Sequence, residues 1–132
     1  VLKLKELLIT LINSDPTITN YFTSLTQSDK PSLKRIMEQN FCFNLKLEDF
    51  AELSHRSLSS FKREFQQIFQ DSPGKWIIRR RVEHAAAILA NSSQSVTQAA
   101  YESGFEDVSH FSRVFKKITG KSPSDYKKSL VF

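Results

Sequence analysis

The chain has 132 residues, 39% of them hydrophobic and 25% charged, a balance that supports one folded domain with a buried core and excludes a disordered chain. No stretch is apolar and long enough to span a bilayer, and the single cysteine, Cys42, can neither close an internal disulfide nor supply a metal cluster. The expected compartment is therefore the cytoplasm, with no membrane partner and no cofactor, while the net charge of +5 favours polyanionic partners. The excess charge lies late in the chain: residues 41–72 sum to −1, residues 73–92 to +3 and residues 93–132 to +2, with Arg79, Arg80 and Arg81 as the densest point.

Residues 2–12 are apolar at helical spacing through Leu4, Leu7, Leu8, Leu11 and Ile12 and stop at Asn13-Ser14-Asp15-Pro16, which predicts a short helix. Asp15 is placed to cap a second helix with Pro16 at its first position and Ile18, Tyr21, Phe22 and Leu25 as its stripe. The polar stretch at 26–31 then separates a helical tail, residues 1–30, from a main domain, residues 31–132. The chain starts at Val1 without the pattern of a signal peptide, so a piece of a longer protein is expected. From Leu33 onward helix follows helix with no alternating run that argues for a sheet, and the expected fold class is all-α. Leu33, Ile36, Met37 and Phe41 make the first apolar face, and the next helix is expected over about Leu47 to Ser54.

An internal repeat organises the rest. Residues 58–76 match residues 108–126 fifty positions later, pairing Phe61 with Phe111, Arg63 with Arg113, Phe65 with Phe115, Ile68 with Ile118 and Trp76 with Tyr126. The preceding helices also match, Leu47 with Val96 and Ala51 with Ala100, but forty-nine positions apart. One residue has therefore been inserted in the turn between the two helices of the second copy, as a duplicated helix-turn-helix would tolerate. In that copy Ser95 and Gln98 form a capping-box pattern, Ala99 and Ala100 permit a close helix crossing, and Gly104 supplies the turn. Asp107 caps the following helix, whose Phe111, Phe115 and Ile118 are expected to face inward.

The outer face of that helix then carries Ser109, His110, Ser112, Arg113 and Lys116, and its counterpart, capped by Ser57, carries Ser59, Ser60, Lys62, Arg63 and Gln66. These are residue types that hydrogen-bond to base edges and phosphates. Between the two copies a helix is expected from about Pro73 to Ala90, eighteen residues or about 27 Å long, comparable with the roughly 34 Å between successive major-groove segments. The phenylalanines recur at i,i+4 and read as core rather than as platforms for single strands. Three consecutive arginines point about 100° apart and cannot share one face, so at least one is expected to be structural, and Arg81 is the choice for an intramolecular partner. His55, His84 and His110 show no metal-ligand spacing with Cys42, and no phosphate loop, carboxylate cluster or nucleophile motif indicates an enzyme.

Residues 80–93, the AAYESGF segment at 99–105 and GFEDVSHFSRVFKKITGKSPSDY at 104–126 resemble the DNA-binding domain of AraC-type transcriptional regulators, and the similarity runs over roughly residues 33–129. The resemblance implies two helix-turn-helix subdomains, about 46–70 and about 95–119, joined by a long linker helix at about 73–91, with extra N-terminal helices. It implies double-stranded DNA as partner, read in adjacent major grooves through Ser59, Lys62 and Arg63 and through Ser109, Ser112 and Arg113. It further implies a bacterial regulator acting as an activator with RNA polymerase, whose effector is bound outside this chain. The sequence departs from the family pattern at His55, where glycine is common, at Lys46, a usual Ser or Thr cap, and at Gln70, opposite Gly120. The competing reading is a basic helical module that binds an acidic protein without sequence-specific DNA binding.

Overall fold

The computed structural model describes residues 30–130. The helices expected over residues 2–12 and after Asp15 lie outside the described residues. Seven helices and no strand occur among the described residues, as the all-α reading requires: α1 (Leu33–Asn40), α2 (Leu47–Leu53), α3 (Leu58–Phe69), α4 (Pro73–Asn91), α5 (Val96–Glu102), α6 (Val108–Thr119) and α7 (Pro123–Ser129). They pack into two compact units. Of the described residues, the first unit holds 30–39 together with Leu45–Gln70, and the second holds Asn40–Asn44 together with 71–130.

In the first unit Leu33 and Met37 of α1, Phe50 and Ala51 of α2, and Phe61 and Phe65 of α3 are buried. The α3 rings follow one another along the inner stripe, Phe61 against Phe65 at 5.8 Å and Phe65 stacked on Phe69 at 4.2 Å. Ser57 starts α3 by accepting a hydrogen bond from the Ser60 amide. At the start of α2, Lys46 has no side-chain acceptor to offer, and the Asp49 carboxylate instead accepts from the Lys46 amide at 2.9 Å. One half of a capping box is thus kept and the other lost.

The second unit is built around α4. Ser72 caps it, Pro73 occupies its first turn, and Val82, Ala85 and Leu89 enter a core completed by Ala99, Ala100, Phe105, Phe111 and Phe115. Ser95 and Gln98 form the reciprocal capping box, and Asp107 caps α6 by accepting from the Ser109 amide at 2.9 Å. Tyr126 of α7 closes the core edge-on against Phe115, with ring centroids 5.4 Å apart.

Ile118 corrects the inward reading of α6, because its side chain remains 43% exposed. It lies in the last turn of the helix, beyond the Phe115 level that Tyr126 covers, and opens on a cleft of about 500 Å³ lined also by Ile78, Val114 and Gly74. Gly74 presents no side chain to fill that space. Ile68, the matching residue of α3, is likewise exposed, at 54%.

Both helix-turn-helix turns use the same backbone device. Arg56 donates its amide to Ala51 O at 2.9 Å around a left-handed His55, φ 58°, and Phe105 donates to Ala100 O at 3.1 Å around Gly104, φ 101°. α3 ends on a left-handed Gln70, φ 54°, where α6 ends on Gly120, φ 85°. The first unit thus places side chains where the second uses glycine, a conformation unfavourable for L-residues by about 1–2 kcal/mol. His55→Gly is expected to raise unfolding stability by about 0.5–1 kcal/mol in chemical denaturation, after the larger unfolded-state entropy of glycine is offset. Gly104→Ala is expected to lower it by at least about 2 kcal/mol, because the new Cβ would sit 2.7 Å from the Cys42 carbonyl oxygen.

Candidate nucleic-acid interface

α3 and α6 are matching helices of 12 residues, and burial of their phenylalanines fixes which faces look outward. Ser59, Lys62 and Arg63 on α3 are exposed, as are Ser109, Arg113 and Lys116 on α6. Ser60 and Ser112 are half-buried at the flanks of these faces. Arg63 donates to Ser60 Oγ at 3.4 Å, whereas Lys62, Arg113 and Lys116 have no intramolecular partner among the described residues. Each helix therefore offers hydroxyl groups and cations on the side opposite its aromatic core. His110 is half-buried and packs edge-on against Phe105 at 5.8 Å, so part of its ring is committed to the protein.

The arginine run resolves into three separate jobs. Arg79 pairs with Asp71 at 2.9 Å. Arg80 pairs with Glu83 at 2.9 Å and lies over the Phe41 ring, 4.6 Å from its centroid. Arg81 turns inward, as expected from the sequence, and donates from Nε to Phe41 O at 2.7 Å and from Nη2 to Phe43 O at 2.9 Å. Desolvation lowers the pKa of its guanidinium, opposed by the nearby Glu106 carboxylate. The same burial raises the pKa of the Cys42 thiol, against the neighbouring Arg81 and Arg80, which keeps it protonated at neutral pH. The densest cationic point in the sequence is thus mostly an internal scaffold.

That scaffold brings residues 41–44, far away in sequence, to the entrance of α6. Phe41 packs edge-on to Trp76 and His84 of α4, the Cys42 carbonyl lies over Gly104, and Asn44 Nδ2 donates to the Glu106 carboxylate. A polar cleft of about 370 Å³ opens there, lined by Asn44, Glu106, Asp107, His110 and Arg113 among others. Asn44 carried no signal in the sequence, because its partner is 62 residues away and no periodic pattern links the two.

Comparison with known proteins agrees with this geometry. A helix-turn-helix domain family matches residues 50–129. The chain is 31% identical over 125 residues to the HTH-type transcriptional regulator ExsA of Pseudomonas aeruginosa, covering 93% of this chain and 45% of that protein. It is also 31% identical over 125 residues to the virulence regulon transcriptional activator VirF of Yersinia enterocolitica, covering 93% of this chain and 46% of that one. Among solved structures, the DNA-binding domain of the global transcriptional factor AdpA, determined in complex with a target DNA, superposes with a TM-score of 0.70 at 25% identity over 74% of this chain and 90% of that one.

The chain belongs to the AraC-type helix-turn-helix family.

It spans less than half the length of these two curated relatives. As a member of this family it presents α2 with α3, and α5 with α6, as its two helix-turn-helix pairs, with α4 between them in sequence. Among the described residues no group of three or more His, Cys, Asp or Glu is arranged to hold a metal ion, and no helix is long and apolar enough to cross a membrane.

The Arg81 clamp predicts a stability effect at a residue that lies on neither outer helix face, although it lines the same cleft as His110 and Arg113. Arg81→Met is expected to destabilise the protein by about 2–4 kcal/mol, since two loop carbonyls lose their donors, and Arg81→Lys is expected to recover only part of that. Denaturant titration of the two variants measures both values.

Proposed function

We propose that this chain binds double-stranded DNA at a defined sequence, with α3 and α6 each entering a major-groove segment. The observation that carries the reading is the duplicated arrangement itself: two capped helices, each held by a pair of buried phenylalanines, each with serine hydroxyls and cations on the opposite face. Ser59, Ser60, Lys62 and Arg63 form one reading surface, and Ser109, His110, Ser112, Arg113 and Lys116 the other. Arginine recognises guanine through O6 and N7, while serine and lysine serve both base edges and phosphates. α4 has 19 residues and a length of about 28 Å, close to the rise of one turn of B-DNA.

In this reading the chain is the non-catalytic DNA-binding module of a bacterial regulator that works in the cytoplasm. The name of the Yersinia relative supports activation as its role, which makes RNA polymerase a further partner. The effector, if the regulator has one, binds in a part of the protein outside this chain. The less than half of each relative's length that is matched here leaves room for such a part.

Fluorescence anisotropy on a selected duplex against a scrambled one tests the proposal. The selected duplex is expected to bind more tightly, with affinity falling steeply as salt rises. Arg113→Ala is expected to weaken the selected duplex by about 1–3 kcal/mol while flattening preference at one base position. Equal loss on both duplexes would assign Arg113 to the phosphate backbone. Equal affinity of the unaltered chain for both would favour the basic protein-interaction module instead.

A further inference from the structure

The two helix-turn-helix units differ in length by one residue, and the structure identifies which. In both turns a left-handed residue, His55 or Gly104, is followed by a residue whose amide closes the helix, Arg56 onto Ala51 O and Phe105 onto Ala100 O. In the first unit the N-cap Ser57 comes next. In the second unit Glu106 stands between Phe105 and the N-cap Asp107. Glu106 is therefore the inserted residue, without a counterpart in α3's turn.

Its surroundings set it apart from an ordinary surface glutamate. Glu106 is exposed and adds nothing to the apolar core, yet its carboxylate accepts a hydrogen bond from Asn44 Nδ2, in a loop that belongs to neither repeated copy. That loop is itself fixed, by the two Arg81 bonds to Phe41 O and Phe43 O and by the Cys42 carbonyl seated on Gly104. An anionic acceptor is thus held at the entrance of α6, in the same cleft as His110 and Arg113. In helix-turn-helix proteins the first residues of the second helix meet base edges, and Glu106 stands immediately before the N-cap of α6, at the edge of that region. A carboxylate there can only accept hydrogen bonds. It therefore fits the exocyclic amino group of cytosine in the major groove better than that of adenine, where the neighbouring N7 acceptor faces the second carboxylate oxygen, and it is repelled by phosphate.

We propose that Glu106 is a specificity-determining residue that selects cytosine at one position of the site read by α6, and that Asn44 is the positioning residue that holds its carboxylate for this purpose. This inference rests on the DNA-reading function proposed above. It gives the inserted residue a task that the first unit lacks, so the two units read with different chemistry.

Selection of bound sites from a random duplex pool, run in parallel with the unaltered chain, Glu106→Gln, Glu106→Ala and Asn44→Ala, tests it, with a thermal melt of each variant to show that it is folded. The unaltered chain is expected to enrich cytosine at one position within the α6 half of the site, by about tenfold over other bases. Both Glu106 variants are expected to reduce that preference to less than about twofold while leaving the other positions as they were, and to bind random duplex a few-fold more tightly because an anionic group has gone. Asn44→Ala is expected to weaken the same single preference to an intermediate value, which a merely structural loss at the loop would not do. A selected motif left unchanged by the Glu106 variants overturns the inference and leaves the DNA-reading function standing. A motif degraded at all positions alike by Asn44→Ala overturns the role of Asn44. Failure of the unaltered chain to enrich any sequence overturns the inference together with the reading on which it rests.

Discussion

The guanidinium of Arg81 reaches from the middle of α4 to the carbonyl oxygens of Phe41 and Phe43, and the architecture of the second unit depends on that bridge. Residues 41–44 lie between helices, so their carbonyls lack the partners that regular structure would supply and require a donor from elsewhere. The forked guanidinium satisfies two of them at once, where an ammonium would meet one. With the loop fixed, the Cys42 carbonyl occupies the space where any residue other than glycine at 104 would place its Cβ. The turn of the second helix-turn-helix and the loop forty residues before α4's arginine are therefore conditions for each other. Phe41 completes the assembly by packing against Trp76 and His84, with Arg80 over its ring.

The two units solve the same local problem with unequal materials. The second uses Ser95 at the cap, Gly104 in the turn and Gly120 at the helix end, each the residue type that the backbone conformation favours. The first uses Lys46, His55 and Gln70 at those places, so three small local penalties accumulate in one short segment. Part of this is offset by Arg56, which donates to Pro31 O at 2.9 Å and Ser54 O at 2.8 Å and pairs with Glu64. That hydrogen bond from Arg56 lowers the pKa of the Glu64 carboxyl. The pairing therefore contributes above the ordinary glutamate range and is lost as the pH falls through the depressed folded value. Loss of this pairing as the pH falls thus acts on the first unit.

Much of this was legible because it is local. Caps, the Pro73 start of α4, the turn at Gly104 and the i,i+4 phenylalanines are all set by residues within a few positions of one another, and sequence periodicity reports such relations directly. That at least one of three consecutive arginines leaves the outer face was legible too, and Arg81 is the one that turns inward, although the spacing alone does not select it. The exposure of Ile118 was not, since it depends on where Tyr126 stops covering α6 and on the missing side chain of Gly74. The partners of Arg79 and Arg80 were also hidden: spacing permits pairs with Asp71 and Glu83 but does not select them over phosphate. The bond between Asn44 and Glu106 was out of reach altogether, because it depends on a tertiary loop position created by a different residue's side chain.

The electrostatics follow from the same division of labour. A count of basic residues places the strongest cationic point at Arg79, Arg80 and Arg81, yet all three are engaged within the protein. The cations that remain without partners among the described residues include Lys62, Arg113 and Lys116, which sit on the two outer helix faces, while Arg63 holds only a long bond to Ser60. Internal pairing of the arginine run thus ties its guanidinium groups to Asp71, Glu83 and the loop at 41–43, so the stretch with the highest count of positive charge in the sequence is not where the unpartnered cations of the fold sit.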